Sequence, residues 1–522
     1  MRDIVLVFEV HQPARLARNF KQRIRELSAK GVRITPDLLE HIYFDEELNR
    51  RILERVSRKC YLPANEVILQ QLDNFRHSGK KFKVSFSLSG VFLEQARKWV
   101  PEVLESFQRL SDTGLVEFLD QTYYHSLASL LSEEEFTEQV LEHRQLMKDY
   151  FGREPTSVEN TEFIYNTRIA CVLGRLGYKV VLTEGVERIL GWRSPNYLYK
   201  ARGCGIKVLM RNYRLSDDIG FRFASREWRE YPLTADKYAA WLAATPGDVI
   251  LIAVDYETFG EHFPRETGIF EFLRWLPGEV LKWENLRFAT PSEVADSKPV
   301  RDEIEVPEAH TISWADIEKD ISAWLGNELQ RESFERLRHL RCIVRALPQH
   351  SWKRVWKLLS TSDHLYYMST KTGGPGEVHA YFSHFATAYE AYAAYLEVVS
   401  DFEARAIEAL LGCERARVRY AWMRDVPAGQ EFFFYEADGK PAHSAARNMF
   451  EFADALAKQP ASVAQYHQER GDFASWVESV VGDLVLAQEF RKVGVSRDPE
   501  ETKARLLQAV EARRREIFEH DC

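Results

Sequence analysis

The sequence predicts an α/β chain with three parts: a β/α barrel over residues 1–300, a helical region over 301–415, and a turn-rich segment with a small helical module over 416–522. Three observations predict it. Short apolar runs rich in β-branched residues recur through the first 290 residues, amphipathic helical stretches lie between many of them, and the strand signal fades after residue 300. Strands alternating with helices argue for a parallel sheet. Seven or eight of them argue for a sheet closed on itself, with an open doubly wound sheet as the competing topology.

In chain order, the strand-like runs are IVLVFEV (4–10), FKVSFSL (82–88), LVEFLDQ (115–121), TSVEN (156–160), KVVLTEG (179–185), KVLMRN (207–212) and VILIAV (249–254). LRFATPSEV (286–294) reads as a further strand and the start of a helix. VILIAV is too short for an ordinary helix and dense in Val and Ile, which marks a strand buried on both faces. Among the helical stretches, SEEEFTEQVLEHRQLMKDYFG (132–152) and TRIACVLGRLG (167–177) are the clearest, and Gly177 is a stop signal. Beyond residue 300, helical patterning covers 311–347, 376–412 and 499–520. It is interrupted at 416–442 by aromatic runs and by turns at Pro427-Ala428-Gly429 and Asp438-Gly439. In YHQERGDFASWVESVVGDLVLA (466–487), Gly471 and Asp472 read as a turn and helix cap, with Phe473 and Trp476 entering a core; the segment reads as a packing or docking element.

Composition narrows the function. A net charge of −9 disfavours a nucleic-acid partner, whose binding domains are usually basic. No window reaches the ~18–20 apolar residues that span a bilayer, so no membrane partner is expected. No G-x-G-x-x-G follows the first strand and no G-x-x-x-x-G-K-[ST] occurs, which argues against a nucleotide site. The opening MRDIVLVFEVHQP reads as a strand rather than a secretory signal, and the expected location is cytoplasmic. The six cysteines lie far apart without CxxC spacing and read as buried thiols of a reducing compartment.

Polar clusters sit at the carboxyl ends of the strand runs. IVLVFEV ends in His11-Gln12-Pro13; LVEFL leads to Asp120, Tyr123, Tyr124 and His125; TSVEN to Thr161 and Glu162; KVLMRN to Arg211, Asp217 and Asp218; and VILIAV to Asp255. In a parallel barrel these ends share one face, where such barrels hold their active sites. Two carboxyls gathered there can divide labour as nucleophile and acid, about 5–5.5 Å apart for a retaining glycosidase and roughly 6.5–9.5 Å for an inverting one. His11, His125 and His262 with Asp255 and Glu257 are a second option, a metal site, but lack HExxH or HxH spacing. Substrate-binding histidines fit better.

These residues carry a resemblance. HQP (11–13), VEFLDQTYYHSL (116–127), ENTEFIYN (159–166), DYETFGEH (255–262) and SDHLYYM (362–368) occur in the order of the five sequence regions of glycoside hydrolase family 57, α-amylase group. RNYRLSDDIGFRF (211–223) and SWADIEKDISAWLGN (313–327) also look like that group, and the similarity covers roughly residues 1–400. The resemblance implies an incomplete (β/α)7 TIM-like barrel followed by a helical domain. It implies Glu162 as nucleophile and Asp255 as general acid/base in retaining cleavage of α-1,4-glucosidic bonds of glycogen, starch or maltodextrin. His11, His125, Arg211, Asp217, Trp314, Asp363 and His364 are implied as substrate-binding residues, with Trp324 a candidate for sugar stacking or for the core. Glu257 is implied as an orienting neighbour and Gly260 as a turn close to substrate. No cofactor and no metal are implied, and a homo-oligomer is compatible with it. Glu159 departs from the family pattern, where an arginine is expected; an acid there either tilts the nucleophile's pKa or touches solvent. A 4-α-glucanotransferase using the same residues is the close alternative. A silent glucan-binding protein and a zinc-dependent deacetylase- or mannosidase-like enzyme are the others.

Overall fold

The computed structural model describes residues 1–371, 382–436 and 439–519. Residues 376–381, Asp438, His520 and Cys522 of the sequence reading lie outside the described residues. The strands in chain order are β1 (Arg2–Val10), β2 (Val84–Leu88), β3 (Val116–Leu119), β4 (Ser157–Glu159), β5 (Val180–Glu184), β6 (Leu198–Ala201), β7 (Lys207–Arg211), β8 (Val249–Asp255), β9 (Leu286–Phe288) and β10 (Val300–Ile304). Seven of them close a parallel ring, β1-β2-β3-β4-β5-β7-β8. Two joins are thin: β3 meets β4 through one bridge, Asp120 to Val158, and β7 meets β8 at a single pair, Arg211 to Leu251. The barrel expectation holds, and the open doubly wound sheet does not.

Alternation along each strand separates two cores. Val5, Val7, Leu119, Val180, Leu182, Leu209, Val249, Leu251 and Ala253 pack together in the lumen, with Val294 and Ala295 of the helix Pro291–Ser297. Ile4, Leu6, Phe8, Val84, Phe86, Ile250 and Ile252 face outward against helices such as Pro101–Asp112 and Ile269–Leu281. Burial on both faces explains why the strands read as continuous apolar runs. The same parity continues to the strand ends, so Glu9, Arg211 and Asp255 follow apolar lumen residues on their own strands.

The two clearest helices form as expected. Ser132 caps Glu133–Phe151 by accepting the Glu135 amide at 3.1 Å, and Gly152 ends it at φ +70°. Thr167–Arg175 is capped by Asn166, and the turn after it closes at Gly177, φ +90°. Two strands escaped the sequence reading. VRDEI of β10 is mostly exposed and charged, so it carries no apolar alternation, and β6 is a four-residue strand antiparallel to β7. The stretch 311–347 is helical only over Ser322–Leu325 and Glu328–Ala346; before that it is an irregular loop with Asp316 and Lys319 at positive φ.

The chain forms two compact units, residues 1–33, 41–334 and 357–396 in one, and 34–40, 335–356 and 397–522 in the other. The second is helical, with a hairpin of β11 (Phe432–Tyr435) and β12 (Pro441–Ala446). Its core joins Trp422, Phe432, Phe434, Phe452, Phe473, Trp476 and Phe490. Gln430 donates its amide to the Pro427 carbonyl at the expected turn. Gly471 caps the next helix at φ +71°, with Asp472 on its first turn accepting from His467 at 2.8 Å. Among the described residues no helix is long and apolar enough to cross a membrane.

The cysteine reading needs correction. Cys171 and Cys204 form a disulfide that ties the helix Thr167–Arg175 to the turn between β6 and β7; Cys60 is a buried thiol, as expected, while Cys342 and Cys413 are only half-buried. Spacing along the chain gave no sign of it, because the barrel brings together residues 33 positions apart. Replacing Cys171 by Ser removes the constraint on the unfolded chain and is expected to cost about 3–4 kcal/mol by loop entropy. Thermal unfolding of the variant, and of the wild type with and without reductant, measures it.

Candidate active site

The carboxyl ends of the ring strands open into one cavity of about 410 Å³, within the ~300–1,000 Å³ range of small-molecule sites. Glu9, His11, His125, Glu162, Arg211, Asp217, Asp255, Glu257, Trp314 and Asp363 all line it. Residues drawn from five strand ends and from two later segments therefore meet at one place. Aromatic rings of Phe221, Phe263, Tyr366, Tyr367 and Phe382 complete the wall.

Glu162 follows β4 on a single tight turn and holds φ +60°, ψ +24°, a left-handed conformation that is costly for a residue with a Cβ. Phe163 (φ +54°) and His125 (φ +48°) share that strain. The Glu162 carboxylate is surrounded by donors. The Trp314 indole donates to Oε2 at 2.7 Å, the Ser362 hydroxyl to Oε1 at 3.4 Å, and His125 Nε2 lies 3.4 Å from Oε1. The loop carrying Trp314 is fixed from behind: its amide donates to the Glu162 carbonyl at 3.3 Å, and its ring stacks on Phe163 at 4.8 Å. Arg188 and Lys371 hold the same loop through the carbonyls of Glu318 and Lys319 and the carboxylates of Asp316 and Glu318.

Asp255, the last residue of β8, receives no such hydrogen bond. Burial, and then the charge of Glu162, raise its carboxyl to about 7, with Arg211 and His125 opposing. Arg211 is locked by Glu184 and Asp217 at 2.8 Å each and by the Ala253 carbonyl at 2.8 Å. Glu257 accepts from the Tyr61 hydroxyl and from Gln12 at 3.3 Å; burial, followed by the neighbouring Asp255, lifts it to about 8.

On another part of the wall, His11 stacks on His125 with ring centres 4.1 Å apart. Its Nε2 faces Asp363 at 3.1 Å and its Nδ1 faces Ser89 Oγ at 2.6 Å. Burial, helped by His125, lowers His11 to about 4, so the neutral ring donates Nε2–H to Asp363 and accepts the Ser89 hydroxyl. Burial pushes Asp363 up, but His11, with His125 and His364 near, holds it well below the usual carboxylate range.

Several expected residues stand elsewhere. His364 is buried behind the wall beside the rings of Phe44 and Tyr395 and does not line the cavity. Its ring is consumed by packing one residue past Asp363. Trp324 is fully buried, which resolves its two readings in favour of the core. Asp120 is bonded to His143 at 2.5 Å and to the Tyr178 hydroxyl, and Asp218 pairs with Arg222 at 2.7 Å; neither lines the cavity. Glu159 is fully buried, so the solvent reading of that acid fails. Gly260 holds φ +117° against the Lys59 carbonyl rather than against the cavity. The sequence reading missed Glu9 and Ser362. Glu9 hides inside an otherwise apolar strand, where only its lumen parity with Val5 and Val7 marks it. Among the described residues, no three His, Cys, Asp or Glu side chains converge in metal-binding geometry.

A closed parallel barrel with unlike carboxyls at its carboxyl-terminal mouth defines a class, the β/α-barrel enzymes that act on glycosidic bonds. The chain belongs to glycosyl hydrolase family 57, whose pattern matches residues 5–307. It is 49% identical over 409 residues to a protein of Methanocaldococcus jannaschii named "Putative alpha-amylase", spanning 77% of this chain and 84% of the relative. Two solved structures share the fold. The family 57 branching enzyme of Thermococcus kodakaraensis has a TM-score of 0.55 at 15% identity, over 81% of this chain and 92% of that one. The α-amylase of Thermotoga maritima has a TM-score of 0.51 at 13% identity, over 81% and 96%.

A Cβ on Gly260 would sit 2.1 Å from the Lys59 carbonyl oxygen. Gly260→Ala is therefore expected to destabilise the protein by about 2–5 kcal/mol, through strain at positive φ and overpacking. Chemical denaturation reads this loss, and an unchanged midpoint would contradict the packing described.

Proposed function

We propose that the protein is a retaining enzyme of α-1,4-glucosidic bonds in α-glucans, with Glu162 as nucleophile and Asp255 as general acid/base. The observation that carries this reading is the unequal treatment of two carboxyls in one cavity. Glu162 is met by indole and hydroxyl donors, whereas Asp255 has no donor and is raised to about 7. Two acids held in unlike surroundings, one met by donors and one without them, are what nucleophile and acid roles require.

In the first step Glu162 attacks the anomeric carbon as the bond to the leaving oxygen breaks, and the Asp255 proton goes to that oxygen. In the second, Asp255 takes a proton from water, the water oxygen bonds the anomeric carbon, and the Glu162 ester is released. His11, Asp363, Asp217 and Arg211 hold the sugar hydroxyls, and Trp314 serves Glu162 as a hydrogen-bond donor besides offering a ring face. Glu257 holds the strand end that presents Asp255.

A second reading, 4-α-glucanotransferase, is favoured by the rings of Phe221, Phe263, Tyr366, Tyr367 and Phe382 around the cavity. Such a wall offers stacking surface to an acceptor sugar and shields the glycosyl-enzyme from water. Redistribution of maltotriose into other chain lengths without gain of reducing ends assigns transfer; net gain assigns hydrolysis.

Asp255→Asn is expected to lower turnover of maltooligosaccharides about 10²–10⁴-fold, the usual worth of a general acid. Glu162→Gln is expected to abolish it, and full activity in either variant removes the assignment. Because Asp255 must carry its proton in the first step, kcat/KM is expected to fall as pH rises through about 7. Trp314→Phe keeps a ring face but loses a hydrogen bond to a charged group, worth about 1.5–3 kcal/mol, so kcat is expected to drop roughly 10–100-fold. Steady-state kinetics on maltooligosaccharides measures both effects.

A further inference from the structure

Beneath Glu162 and Asp255 lies a pair of acids that the steps above do not use. Glu9 follows Val5 and Val7 on the lumen side of β1, and Glu159 ends β4. Glu9 is in register with Ser87 of β2, and the Ser87 hydroxyl lies close to Glu159 though outside hydrogen-bonding geometry. Both side chains are buried, and among the described residues none of their four carboxyl oxygens has a partner in hydrogen-bonding geometry; the Ser87 hydroxyl and the Phe163 amide come nearest to Glu159 and oppose the effect of its burial only in part. Among the described residues no lysine or arginine pairs with either; the one cationic candidate is His125, whose Nδ1 lies 3.4 Å from Glu9 Oε1. That nitrogen is nearer to the Gln121 carbonyl, at 2.9 Å. The other groups facing Glu9 are Glu159, Glu162, Asp255 and Glu257, and those facing Glu159 include Glu162 and Asp255, all acids.

Two buried carboxylates without a donor in hydrogen-bonding geometry, sharing the lumen with a third that the proposed nucleophile role keeps ionised, cannot all carry charge. Each would lose several kcal/mol of hydration, and like charges repel strongly in a medium of low dielectric. We propose that Glu9 and Glu159 are a proton-holding carboxyl pair in the cavity floor, positioning residues that stay neutral so that Glu162 is the only charge Asp255 meets from below. The direction of titration agrees: burial first, then the neighbouring acids, raises Glu9 well above the ordinary range and Glu159 to about 8. The pair rests on the proposed roles of Glu162 and Asp255 only for its effect on catalysis; its protonation is a property of the fold and can be read without substrate.

Glutamine is the neutral isostere of a protonated glutamate, so Glu159→Gln separates the alternatives. In wild type the unfolded chain ionises Glu159 near its ordinary value of about 4.3, while the folded chain keeps the proton up to about 8. Stability is thus lost as pH rises across that window, and the variant is spared the loss. The melting temperature of Glu159→Gln minus that of wild type is expected to be flat in acid, to grow from about pH 4.5 to about 8, and to level off above. A difference that ignores pH, or a variant weakest near neutrality, overturns the proposal. Glu9→Gln is the second variant, expected to show the same rise, should the first fail to fold. With maltooligosaccharide, Glu159→Gln is expected to keep most turnover in mild acid and to leave the alkaline limb of kcat/KM unmoved. A limb displaced to lower pH would mean that Glu159 was charged and was holding the Asp255 proton, which also overturns the pair. Loss of the glucan activity itself in wild type would sink the functional reading and leave the melting profile to decide this one.

Discussion

Everything at the mouth of this barrel depends on the cost of burying carboxyl groups where few donors reach them. Glu9, Glu159, Glu162, Asp255, Glu257 and Asp363 belong to one end of the lumen or its rim, where most of their surface is buried. Desolvation of an ionised carboxyl is worth several kcal/mol, more than a typical hydrogen bond returns. Each acid must therefore find donors, find a cation, or keep its proton, and the structure sorts them in that way. Asp363 has the His11 N–H, Glu162 has Trp314 and Ser362, Glu257 has Tyr61 and Gln12, and Glu184 and Asp217 have Arg211. Among the described residues, Asp255, Glu9 and Glu159 accept no side-chain hydrogen bond and pair with no lysine or arginine.

That sorting is imposed by the scaffold rather than by local sequence. Strand parity sends Glu9, Arg211 and Asp255 into the lumen after the apolar residues before them, so a change of one position would turn each acid outward. The left-handed turns at His125 and Glu162 then redirect those side chains into the cavity. Strain of roughly 1–3 kcal/mol per such residue persists only where the surroundings over-determine it. Here the Trp314 loop does so, with its amide on the Glu162 carbonyl and its ring on Phe163. The nucleophile candidate and the loop that hydrogen-bonds it thus hold each other in place.

Much of this was legible in the chain itself. Six of the seven ring strands announce themselves as runs rich in apolar residues because both faces of a parallel sheet are buried, β4 (Ser-Val-Glu) being the exception, and the polar clusters at the strand ends pointed to the cavity. What stayed hidden has physical reasons. β10 pairs through its backbone while exposing charged side chains, so hydropathy carries no trace of it. Asp120 looked like His125 in the sequence, both polar and just past β3. Only the fold shows that Asp120 turns to His143 and Tyr178 while His125 reaches Glu162. His364 and Trp324 were indistinguishable from sugar-binding residues by type, and packing decided against both. The Cys171–Cys204 bond joins a helix to a turn on a neighbouring element, a proximity that spacing cannot encode.

The distribution of donors also bears on why the two key acids come from strands on different parts of the ring. β4 precedes a tight turn that faces Trp314 and Ser362, so an acid there is bathed in N–H and O–H groups. β8 ends between β1 and β7, with Asp255 in register with Glu9, and the charged groups acting on it include the acids Glu162 and Asp363 and the already committed Arg211. An acid at that position holds its proton to higher pH than an ordinary aspartate, up to about 7. Exchanging Asp255 for an amide would preserve the shape and remove the proton that the proposed mechanism hands to the leaving oxygen. Exchanging Glu162 would leave the Trp314 and Ser362 donors aimed at a group unable to attack. The asymmetry behind the proposed roles therefore lies in the walls as much as in the acids.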